Sequence, residues 1–184
     1  MSRARASTDS HVKHLFYELR MLLGAANMCL LAEENEWGNV TNYFKDSAYL
    51  HARNLYSFFT DRTRDDVSIE DFGHCCMHSE LYDNKREALN RRVMHISPGR
   101  PTRNETVEPT GSSQLNELVE EFTAELKAMW EIWISLTDDP DIKHQLTTTL
   151  KDACFQADDD LNKIRSKIII LTKKQTGDSS ALST

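Results

Sequence analysis

Apolar residues recur at spacings of three and four through most of this chain, the period of α-helices that bury one face. Val12, Leu15, Phe16, Leu19, Leu22, Leu23, Ala26 and Leu30 make the first stripe, which predicts a helix from about Ser10 to Glu34 with Gly38 near its stop. Val40, Phe44, Ala48, Leu55 and Phe58 make a second, over about Asn39 to Asp61, and His51 falls on the same line. A third and thinner stripe (Leu81, Ala88, Leu89, Val93, Ile96) predicts a helix over about Ser79 to Ile96. The clearest pattern is Leu115, Leu118, Val119, Phe122, Leu126, Met129, Trp130 and Trp133, a helix from Ser113 to about Leu136. Thr137-Asp-Asp-Pro140 is a stop followed by a start, with Asp139 as cap and Pro140 at the first position of a long last helix.

The segments between are polar. Thr60 to Asp71 reads as a charged connector ending in a short helix or turn capped by Ser68. Ser97 to Gly111 holds three prolines and two glycines over fifteen residues, which excludes a helix and makes a long loop. The expected architecture is all-α, an up-and-down helical bundle of four to five main helices. One bundle domain spans residues 10–174, with a flexible N-terminus over 1–9 and a disordered tail over 175–184.

Composition narrows the function classes. At 184 residues, 39% hydrophobic and 28% charged, the chain can bury a real core. A formal charge of −7 argues against a generic nucleic-acid coat. The basic N-terminus is not followed by an uninterrupted apolar run, so no signal peptide and no membrane span are expected, and the compartment is expected to be cytoplasmic. Four cysteines without CxxC spacing are then reduced thiols. His74-Cys-Cys-Met-His78 lacks the second ligand pair that a structural zinc needs, so neither a metal nor a cofactor is expected.

Two polar constellations remain. His51-Ala-Arg-Asn-Leu55 places Arg53 and Asn54 beside a histidine on an apolar face. Such a histidine is more often a hydrogen-bonded core residue than a ligand or base. Asn90-Arg-Arg-Val-Met-His95 puts Arg91 and His95 one helical turn apart, with Arg92 adjacent. Between Asp83 and Arg103 six basic residues face two acidic ones, a local +4 in an acidic chain. This is either an anion-binding face or a solvated one paired with Asp158–Asp160 or Glu120–Glu121.

An arginine followed by a histidine in an all-helical domain resembles the HEPN superfamily, whose members commonly act as metal-independent ribonucleases or as inactive relatives in toxin–antitoxin and defence systems. That motif separates Arg from His by four to six residues, whereas Arg91 and His95 are separated by three. The resemblance covers one helix specifically and the architecture loosely. His51-Ala-Arg-Asn-Leu55, Asp65-Asp66 and the Asn-Arg-x-x-x-His pattern are also similar to uncharacterised bacterial helical proteins. The HEPN resemblance implies that His95 takes a proton from a ribose 2′-hydroxyl, Arg91 or Arg92 stabilises phosphate charge, and Asn90 orients the phosphate. His51, Arg53 and Asn54 would complete the substrate pocket, in a homodimer. Two readings stand: a non-catalytic interaction or structural module, favoured by the short spacing and acidic balance, and a HEPN-like endoribonuclease. RNA and a partner protein are the partner classes left open.

Overall fold

A computed structural model describes residues 2–38, 40–61, 67–93 and 112–179. Its helices are α1 (Ser2–Glu34), α2 (Val40–Thr60), α3 (Glu80–Val93), α4 (Ser112–Leu136) and α5 (Pro140–Ser179), with a 3-10 turn at Ile69–Phe72. The protein is an all-α helical bundle, as the periodicity predicts, with no strand among the described residues.

Local chemistry sets the helix ends. The Ser79 hydroxyl accepts the Tyr82 N–H at 2.9 Å and so caps α3. Asp139 Oδ1 accepts the N–H groups of Asp141 and Ile142 at 2.9 and 3.1 Å, and Pro140 opens α5. At the 3-10 turn the Ser68 N–H donates to the Asp71 carboxylate at 2.9 Å. Gly73 ends that turn at φ 83°, a left-handed conformation that glycine adopts without a Cβ penalty. α1 begins at Ser2; Ala and Arg are strong helix formers and extend the helix beyond its apolar stripe. α5 continues through Ser179.

Side-chain pairs fix the helix directions. Tyr49 meets Phe122, Tyr56 meets Glu125, and Phe59 meets Trp130, so α2 and α4 run the same way. Asn27 with Asp158 and Glu34 with Arg165 show α1 and α5 running together. The Glu18–His51 pair and the short turn after Glu34 set α1 against α2. Alternation of direction buries the apolar faces around one core centred on Leu19, Leu22, Leu55, Phe59, Phe122, Leu126, Trp130 and Trp133.

Trp130 and Trp133 are fully buried, so the aromatic stripe of α4 is core within one chain and not an exposed face for a second copy. Leu30, expected on the first stripe, is exposed, and Leu31 and Ala32 are buried in its place. α1 packs against both α2 and α5, which widens its buried face beyond a single stripe. Its Ser10–Glu34 portion is long and apolar enough to cross a membrane by length and composition, and half of that window is buried in the bundle.

Candidate functional site

α1 and α2 leave a polar cleft of about 400 Å³ between them. Its wall carries His11, His14 and Glu18 from α1 and Arg53, Asn54 and Ser57 from α2. Three residues apart on a helix lie on one face, which brings His11 and His14 to the same side, with Glu18 a turn further on.

Glu18 is the centre of this arrangement. Only 5% of it is exposed, yet its neighbours along the helix, Leu15, Leu19 and Leu22, are core residues. His51, also 5% exposed, places Nδ1 at 2.8 Å from Glu18 Oε2. The Asn54 amide donates to the same oxygen at 3.0 Å. The exposed His14 ring stands 3.7 Å from Oε1, and the Tyr17 ring packs edge-on against His51 at 5.8 Å. Burial alone raises the pKa of Glu18. The hydrogen bonds from His51 and Asn54, with the charges of His51 and His14, outweigh it and hold the carboxyl below its ordinary value. An ionised carboxylate only accepts, so His51 Nδ1 donates.

The cleft is joined to α3 through Asp61 at the end of α2. Ser57 Oγ donates to Asp61 Oδ2 at 3.3 Å, and Arg86 of α3 reaches the same oxygen at 3.0 Å. Arg86 also lies over the Tyr82 ring, 5.4 Å from its centroid. Burial, then the Asp61 charge, raise the pKa of the Tyr82 phenol, against the opposing charges of Arg86 and Arg53. A second polar cluster anchors α3 deeper in the bundle: Tyr56 OH and Ser79 Oγ both donate to the Glu125 carboxylate. Burial and that carboxylate push the Tyr56 phenol far up, so it stays protonated as a donor.

Of the residues assigned from sequence, Arg53 and Asn54 line the α1–α2 cleft, while His51 does not line it but bonds Glu18, which does. Asn90, Arg91 and Arg92 fall on the helical backbone of α3, while their side chains, and His95 altogether, lie outside the described residues. So do Arg100 and Arg103 of the basic segment. Among the described residues, Asp158 meets Asn27, Asp160 meets Arg20 at 3.3 Å and Asp159 meets Lys163. His74, Cys75, Cys76 and His78 form a loop, and no group of metal-holding side chains occurs among the described residues.

Sequence reasoning missed Glu18, His11, His14 and Ser57. Glu18 had a signal: it lies three residues after Leu15 and four before Leu22, so a carboxylate sits in phase with the apolar stripe. A charge in that position calls for a partner from elsewhere in the fold. No family model matches this chain, and no curated protein or solved structure matches it.

Proposed function

We propose that the chain is a non-catalytic helical interaction module, in which the His51–Arg53–Asn54 segment serves the fold first and shapes a polar cleft second. The observation that carries this reading is the engagement of His51 and Asn54 by Glu18 inside the α1–α2 seam. A general base needs a nitrogen within reach of the proton it removes. At 5% exposure, His51 faces the protein interior and gives its Nδ1 hydrogen to a carboxylate.

A second reading, a HEPN-like metal-independent endoribonuclease acting through Arg91 and His95, is favoured by one specific feature. α3 carries Asn90, Arg91 and Arg92, and it is tied to the cleft end of α2 through the Arg86–Asp61 pair. Arg53 stands on the cleft wall at that end, as a substrate-side cation would.

One experiment separates the two: RNA cleavage by the purified protein in excess EDTA, with His95→Ala prepared in parallel. The interaction-module reading expects no cleavage by the wild type across varied RNAs. Cleavage that survives chelation and disappears in His95→Ala overturns it and establishes the nuclease, with His95 as the base. Equal cleavage by both proteins excludes His95 as the base.

A further inference from the structure

α5 outlasts the helix it runs beside. α1 ends at Glu34, whose carboxylate takes the Arg165 guanidinium at 2.7 Å, and α5 continues to Ser179, about 21 Å further at 1.5 Å per residue. The inner side of α5 is marked by the buried Leu146, Ala153 and Ala157, and its flanks are tied to α1 through Asp158, Asp160 and Arg165. Phe155, midway between the two buried alanines, points the other way and is 71% exposed.

Residues at alternating spacings of four and three share one helix face, and from Phe155 that series runs through Asp159, Asn162, Ser166 and Ile169. Ile169 and its neighbour Ile170 are 54% and 55% exposed. The outer face therefore carries large apolar side chains at two places about 21 Å apart, with polar ones between. Single exposed apolar residues are ordinary on a soluble protein, so the face by itself names no occupant.

The charges along it do. From Asp152 to Asn162 the sequence has four aspartates and no basic residue; from Lys163 to Lys174 it has five basic residues and no acidic one. A copy laid alongside in the same direction sets like charges together. A copy laid antiparallel, with a twofold axis near Asn162 and Lys163, sets the Asp158–Asp160 run against Arg165 and Lys167 of the other chain. The same axis brings Phe155 of each copy to Ile169 and Ile170 of the other, so both contacts occur twice, as in an isologous pairing. The charges at hand are not all spent inside the chain. Asp158 meets the Asn27 amide and not a cation, and the exposed Lys167 has no ion pair among the described residues.

We propose that the outer face of α5 is a self-association surface on which a second copy of this chain docks antiparallel, Phe155 of each against Ile169 and Ile170 of the other. This goes beyond the proposed function and does not depend on it.

The test is the mass of the full chain in solution, by sedimentation equilibrium over a range of concentrations. One helix pair buries little area, so the expected result is a reversible dimer of the 21.2 kDa chain with a Kd of about 1–100 μM. Phe155→Glu is expected to weaken it by about tenfold or more, since a carboxylate replaces the apolar anchor. Asp159→Lys and Lys167→Glu each weaken it about threefold, the worth of an exposed ion pair, and together they restore it, because the exchanged charges still meet across the twofold. A chain that stays monomeric up to about 500 μM overturns the proposal, as does a dimer indifferent to Phe155→Glu. A double charge variant that stays as weak as the single ones overturns the antiparallel arrangement. Should Phe155→Glu lose helix content by circular dichroism, the wild-type mass and the charge exchange still decide it.

Discussion

Replacing His51 with leucine tests whether the Glu18–His51 pair holds the fold. Leucine keeps the apolar volume of the site but removes the donor that lies 2.8 Å from Glu18 Oε2, where both side chains are 7% exposed. Loss of a hydrogen bond to a charged group costs about 1.5–3 kcal/mol. Breaking a buried pair outright costs about 3–5 kcal/mol, because a charge is left uncompensated. Glu18 would retain Asn54 at 3.0 Å and His14 at 3.7 Å, and it borders the cleft. The expected loss therefore lies between these effects, about 2–3 kcal/mol, or a fall in Tm of about 5–10 °C for a domain of this size. The assay is thermal and urea unfolding followed by circular dichroism, with Glu18→Leu and the double variant measured alongside. Removing both partners removes the uncompensated charge, so the double variant is expected to recover to within about 1 kcal/mol of wild type. A single-variant loss below about 0.5 kcal/mol, the range of an ordinary surface change, would refute the reasoning.

Other consequences follow from the same geometry. Because the folded pKa of Glu18 lies below its ordinary 4.5, its contribution to stability is present above that value and is lost as pH falls through the depressed folded pKa; Glu18→Gln should flatten this part of the stability–pH curve, and an unchanged acid slope would count against it. Burial pushes the Cys29 thiol up to about 12, while Cys75 is exposed, so a thiol-selective reagent should label Cys75 in the native protein and Cys29 only on unfolding. Mass mapping that finds the two labelled at similar rates would exclude the buried position. Tyr56→Phe removes one donor from Glu125 but leaves Ser79 at 2.9 Å from both oxygens, so the expected loss is about 1–2 kcal/mol, read as a fall in urea midpoint with unchanged m-value.

The helices were legible in the sequence because what makes them is local. The apolar period of α4, the Asp139–Pro140 start of α5 and the turn at Ser68 depend on residues within about four positions of one another. Sequence also placed His51 on a buried face, since Ala48, Leu55 and Phe58 share its phase. It could not supply the partner. Glu18 lies 33 residues away, and the two meet only because α1 and α2 pack antiparallel with those faces turned inward. The tertiary structure likewise decided that Trp130 and Trp133 fill one chain's core, and that one indole finds a carbonyl while the other finds none. Periodicity states which face of a helix is buried; what that face meets depends on the rotation and offset of helices far apart in the chain, which no local pattern encodes.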